Sequence, residues 1–92
     1  MSRLIWSRLA RHDLYTIAFD EMLWDADRLI DRIEKAPLVL LDFPELGPVA
    51  GSDGLRKWHV RRTPFLLLYK IRRSSVEISR VVYAASDWKT SD

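Results

Sequence analysis

The side chains best suited to chemistry in this 92-residue chain gather in its last third. His59 stands two residues before Arg61, and Arg80 stands three before Tyr83. An imidazole titrates near neutrality, so His59 could give or take a proton. Guanidinium groups keep their charge and fork onto carboxylate or phosphate oxygens. From Leu55 to Val82 the chain carries Arg56, Lys57, Arg61, Arg62, Lys70, Arg72, Arg73 and Arg80 against one acid, Glu77. Most carboxylates lie in the half before it. Such an asymmetry suits a basic surface that meets something anionic. Each feature also has a plainer account. Lys and Arg on edge strands block aggregation, and a lone histidine on a strand is ordinarily a surface residue. Tyr83 and Trp88 could form a recognition surface, since aromatics dominate binding hot spots, or could pack the last strand on its neighbours. Trp58 and Tyr69 read as packing residues.

Several chemistries are excluded outright. There is no Cys, hence no disulfide, no Cys-based zinc site and no thiol nucleophile. The second histidine, His12, sits beside Arg11 and Asp13 on a helical stretch and reads as solvated surface. With no carboxylate at ligand spacing from either histidine, neither a metal nor another cofactor is expected. Asp25, Asp27 and Asp31 read as a solvated helix face paired with Arg28 and Arg32. Leu4-Ile5-Trp6 is too short an apolar run for a signal peptide, and no stretch approaches the roughly 20 apolar residues that span a membrane. A cytoplasmic protein without membrane contact is the expectation. The net charge is only +2, so an electrostatic role must come from where the charge sits.

The elements that must position these groups follow from periodicity. One domain over residues 1–92 is expected, because the chain is too short for two. Arg3–Trp6 reads as a short strand with Ser7 as the N-cap of a helix to about Asp20. A second helical pattern starts at Met22 and runs through Ala26, Leu29 or Ile30, Ile33, Leu40 and Leu41 to Phe43, with a kink or break at Ala36 before Pro37. Residues 44–54 read as loop. Leu55–Arg62 alternates, with Trp58 and Val60 on one face and Lys57, His59 and Arg61 on the other. Phe65–Arg72 is apolar on both faces, as a central strand is. Val76–Ala84 changes phase, which a bulge near Ser79-Arg80 explains. The layout is βααβββ: an α+β fold with two N-terminal helices packed on a small, mainly antiparallel sheet. The other face is left partly open, and that face or its rim would carry the basic residues.

This order of phrases resembles the ParE/RelE superfamily of toxins from type II toxin–antitoxin systems. The phrases are Ala10-Arg11-His12-Asp13-Leu14 with Ile17-Ala18; Ala26 to Ile33; Leu41-Asp42-Phe43-Pro44-Glu45-Leu46-Gly47; Gly54-Leu55-Arg56; Leu68-Tyr69-Lys70-Ile71; Val76-Glu77-Ile78; Arg80-Val81-Val82-Tyr83; and Asp87-Trp88. The resemblance implies a cognate antitoxin whose segment wraps the toxin, seated in grooves along the helices and the sheet edge. It also leaves open a homodimer of the lone chain through an exposed apolar groove.

The superfamily implies two activities. RelE-like members cut mRNA on the ribosome, and ParE-like members poison DNA gyrase. The nucleases resemble one another in placing Arg or Lys, with a Tyr or His, around the scissile phosphate. Here the third-strand Arg position of the nucleases is Leu66, and Ala84-Ala85 stand where another Arg is expected. His59 and Arg61 fall near the basic second-strand positions, and Tyr83 stands where many members have His. The ending Asp87-Trp88 is similar to ParE-type chains. The resemblance therefore favours a ParE-like gyrase inhibitor that makes no bond itself. A RelE-like endoribonuclease using His59, Arg61 and Tyr83, or a degenerate toxin that only binds antitoxin, are the alternatives. Target or antitoxin contacts are expected at Arg56, Lys57, Arg61, Arg80, Tyr83 and Trp88.

Overall fold

A computed structural model of the chain describes residues 3–20 and 25–89. Strand β1 (Arg3–Trp6) leads into helix α1 (Arg8–Asp20), then helix α2 (Ala26–Lys35), then strands β2 (Arg56–His59), β3 (Phe65–Arg72) and β4 (Ser75–Tyr83). Met22, the first residue of the expected second helical pattern, lies outside the described residues. The α+β reading and the βααβββ order hold. Among the described residues, no helix is long and apolar enough to cross a membrane.

The four strands form one sheet in the order β1-β4-β3-β2. The β2–β3 and β3–β4 pairs are antiparallel, whereas β1 runs parallel to β4. Phe65, Leu67 and Tyr69 of β3, with Val76, Ile78 and Val81 of β4, face the helices and are buried with Ala10, Ile17, Ile33 and Leu40. Both faces of β3 are buried from Phe65 to Tyr69, as its uninterrupted apolar run requires. Leu68 pairs with Arg80 and Tyr69 with Ile78, so Ser79 is the extra residue of a bulge. That bulge restores Val76 and Ile78 to the face that Val81 occupies.

Ser7 joins β1 to α1 with one side chain. Its backbone N–H donates to the Ile78 carbonyl at 2.9 Å, closing the parallel ladder. Its hydroxyl donates to the Ser79 carbonyl at 2.8 Å and accepts the Ala10 N–H at 3.0 Å, the N-cap bond expected from the sequence.

The stretch after α2 differs in winding from the expectation. The α-helix gives way at Ala36 to a 3₁₀ helix over Ala36–Leu41, and a second 3₁₀ turn covers Pro44–Leu46. Pro37 cannot donate to the ladder, and the tighter winding still buries Pro37 and Leu40. β2 is also shorter than its alternating pattern. After His59, Val60 keeps one bond to Phe65 at 3.0 Å, and the chain then turns through Arg62 at φ 65°.

Candidate functional site

The outer face of the sheet is partly open, with basic residues lining its clefts around an apolar centre. Leu66 and Leu68 are buried at its centre. Trp88, half-buried, stands between two clefts there. One is lined by Lys57, Leu66 and Ala84, the other by Leu55, Leu68, Lys70 and Arg80. Residues 84–89 and the 50–55 loop thus flank the apolar middle of that face. Arg72, farther along β3, forms an ion pair with Glu77 at 3.0 Å.

Arg56 and Tyr69 are cross-strand partners on β2 and β3. Both reach the same loop. The Arg56 guanidinium Nη1 donates to the Gly47 carbonyl at 2.7 Å and to the Glu45 carbonyl at 3.2 Å. The Tyr69 hydroxyl donates to the Pro44 carbonyl at 2.6 Å and accepts the Gly47 N–H at 3.0 Å. Burial raises the Tyr69 hydroxyl above its ordinary pKa, because the phenolate would lose its water; the Gly47 N–H and Arg56 charge pull the other way. Gly47 has to be glycine. A Cβ there would lie 2.7 Å from the Tyr69 hydroxyl and would also strike the Lys57 carbonyl. Three family-like phrases that contain Gly47, Arg56 and Tyr69 therefore meet in one hydrogen-bonded cluster that pins the 3₁₀ segment to the sheet.

Arg80 is likewise engaged from within. Its Nε and Nη2 donate to the two carboxylate oxygens of Asp13 on α1, at 2.8 and 2.9 Å. That bond raises the guanidinium pKa further. The same Asp13 oxygen accepts the Val81 N–H at 2.8 Å. β1 covers β4 only from Ser75 to Ile78. Beyond that point α1 completes the strand's edge with a side chain, so Asp13 stands in for the missing ladder.

A groove remains where α2 passes the free edge of β2. It encloses about 610 Å³ between Arg28, Asp31, Arg32 and Lys35 on one wall and Trp58, His59 and Arg61 on the other, with Ala36 and Val39 at its apolar end. Trp58 is fixed by its indole N–H, which donates to the Ala36 carbonyl at 3.1 Å. Lys35 pairs with Asp31 at 3.2 Å. Among the described residues, no ion pair engages Arg28, Arg32 or Arg61. A groove with an indole in it and uncompensated guanidinium groups around it suits an extended anionic segment that also carries apolar side chains. Backbone pairing along β2 is limited. Lys57 already donates to the Pro48 carbonyl at 3.1 Å, and Val49 bridges to Arg56, so the free edge is left at His59. From the sequence, Arg28 and Arg32 read as part of a solvated helix face. Its polar pattern is the same either way, and only the placement of α2 beside β2 reveals the groove.

A family model for the ParE toxin of the type II toxin–antitoxin system parDE matches residues 4–88. The chain belongs to that family. Among solved structures, the chromosomal ParDE toxin–antitoxin system from P. aeruginosa is similar at a TM-score of 0.78 and 22% identity, covering 90% of this chain and 96% of that one. At that identity the likeness speaks to the fold. No curated protein matches the sequence.

Within this ParE toxin the residues singled out for nuclease chemistry do not share one face. Register pairs His59 with Leu66 and Leu66 with Val82, so His59 belongs to the outer face. Tyr83 pairs with Phe65 on the helix-side face, where their ring centroids lie 4.6 Å apart. The His59 ring is in hydrogen-bond contact with the Thr63 carbonyl at 2.8 Å, within its own turn. Lys57 is half-buried on the outer face, and Arg61 is exposed at the groove mouth.

Proposed function

We propose that this ParE-family chain acts by binding and trapping DNA gyrase, and that a cognate antitoxin holds it inactive by laying an acidic, apolar segment in the groove between α2 and β2. The register that separates His59 from Tyr83, with apolar Leu66 between the strands that carry them, carries the preference for trapping over RNA cleavage. Phosphodiester cleavage needs an acid–base group and cations converging on one phosphate, and this arrangement does not supply that convergence. Antitoxin capture is supported by Arg28, Arg32 and Arg61 around Trp58, which are in no ion pair among the described residues. Arg61 belongs to that groove. Lys57, Tyr83 and Trp88 offer solvent-facing contacts for the target, and Arg56 and Arg80 contribute through the loop and helix they hold.

Induced expression of the chain alone tests this reading, with mRNA integrity and plasmid supercoiling followed in the same culture over the first minutes. Intact transcripts with broken or relaxed DNA and an SOS response are expected. Cleaved transcripts with normal supercoiling would overturn it in favour of ribosome-dependent cleavage. Normal growth with neither change would mark a chain that only binds antitoxin.

A further inference from the structure

Register fixes which side chains the sheet turns away from the helices. They include Arg3, Lys57, Lys70, Arg72 and Arg80, with one acid, Glu77. Arg72 takes Glu77, and Asp13 takes Arg80. Lys57 and Lys70 are in no ion pair among the described residues, and neither is Lys89, which reaches the same face from residues 84–89. The two clefts on that face measure about 360 and 470 Å³, and Trp88 and Lys89 line both. Lys70 belongs to the first and Lys57 to the second. Lys70 stands two residues along β3 from Leu68, the cross-strand partner of Lys57, so the two lysines are offset by about 7 Å along the strands. One indole thus stands between two lysines. The Lys89 ammonium lies 5.4 Å from its ring centroid, a cation–π contact.

The occupant that uses all of these groups is an anionic chain that carries flat rings. An acidic peptide uses fewer of them. β3 and β4 are hydrogen-bonded on both sides, so a peptide laid across the middle of this face would find no backbone partner. Leu66 and Leu68 are already buried, so no apolar hole waits there for its side chains. A nucleic acid needs neither, because it is held by its phosphates and by the faces of its bases. A duplex hides those faces within its stack, so the ring selects a single strand. Each cleft also holds one acid, Asp53 in the first and Asp87 in the second. The excess of positive charge is therefore modest, and stacking on Trp88 must supply part of the affinity.

We propose that this face binds single-stranded DNA, with phosphates at Lys57, Lys70 and Lys89 and a base stacked on Trp88 in place of the Lys89 ammonium. No bond is made or broken there. The choice of DNA over RNA rests on the gyrase reading, since DNA is what gyrase acts on. The site itself depends neither on that reading nor on the α2–β2 groove.

Fluorescence anisotropy of a short labelled oligothymidylate, titrated with the purified chain over a salt series, tests it. Oligouridylate and duplex DNA serve as competitors, and far-UV circular dichroism is the folding control for the variants. Three phosphate contacts predict a slope of about −2 for log K against log salt, and Lys57→Gln with Lys70→Gln should bring it to about −0.7. Trp88→Ala should weaken binding by about tenfold or more, and Trp88→Phe should keep most of it, because the ring is retained. The chain has four Trp, so the difference between the parent and Trp88→Phe assigns the quenching that a stacked base causes. No binding at low salt would overturn the proposal. So would binding indifferent to Trp88→Ala, or a duplex or an oligouridylate that competes as well as the DNA strand. Gyrase supercoiling is assayed with the same variants. Strand binding without gyrase inhibition would sink the gyrase reading and leave this site standing, whereas inhibition without strand binding would do the reverse.

Discussion

Replacing Tyr69 with Phe tests whether the loop cluster holds the fold. The ring stays, so the core keeps its volume and no cavity term enters. What is lost is one oxygen that both donates to Pro44 and accepts from Gly47. Gly47 is buried, and its N–H then has no partner; an orphaned buried donor costs about 1–3 kcal/mol. The Pro44 carbonyl is only half-buried and can turn to water, so its share is smaller. A loss of about 2 kcal/mol is expected. For a domain of this size each kcal/mol moves the melting temperature by roughly 4–8 °C, so Tm should fall by about 8–16 °C. Circular dichroism melts of the purified chain give the number. The double variant Arg56→Ala with Tyr69→Phe should cost less than the sum of the two single losses, because both release the same loop. The pH dependence supplies a second signature. Burial raises the Tyr69 pKa above its ordinary value of 10.0, so above pH 10 the unfolded chain ionises first and binds fewer protons than the folded one. Stability present below pH 10 is therefore lost as pH rises through the folded pKa. Tyr69→Phe should remove that part of the alkaline slope. A variant melting within about 2 °C of the parent, with an unchanged slope, would refute the account.

Three further outcomes follow from the same contacts. Asp13→Ala should cost about 1–3 kcal/mol in denaturant melts, since it strips both Arg80 and the Val81 N–H of their acceptor, while Arg80→Ala should cost less because Asp13 keeps the backbone bond. Gly47→Ala should unfold the chain more readily than Gly51→Ala in parallel melts, since the nearest atom to a new Cβ at Gly51 is Leu55 Cδ2 at an ordinary 3.5 Å. Arg28→Ala with Arg32→Ala should weaken antitoxin capture and flatten its salt dependence in titration calorimetry, whereas equal affinity would remove the antitoxin segment from that groove.

The elements were legible because their causes are local. Ser7 caps α1 with its own hydroxyl, Pro37 interrupts the helical ladder, and the phase change in β4 can only be met by an extra residue such as Ser79. The site was less legible because its causes are not local. Arg56 and Arg80 read from the sequence as contact residues, with internal pairing to a helix carboxylate as the alternative, and no acceptor can be named for either. The acceptors that engage them, the Gly47 carbonyl and Asp13, are nine and sixty-seven residues away, and no periodicity announces a contact at that range. Conversely, Arg28 and Arg32 looked neutralised by neighbouring aspartates, but Asp31 turns to Lys35 instead. A charge count along the chain therefore does not separate the engaged Arg56 and Arg80 from Arg28 and Arg32, which among the described residues are in no ion pair. Side-chain charge reads as function only after its nearest acceptor in space is known. In this fold that acceptor is set by two features of the sheet: where β1 stops along β4, and where the 3₁₀ segment lies against β2.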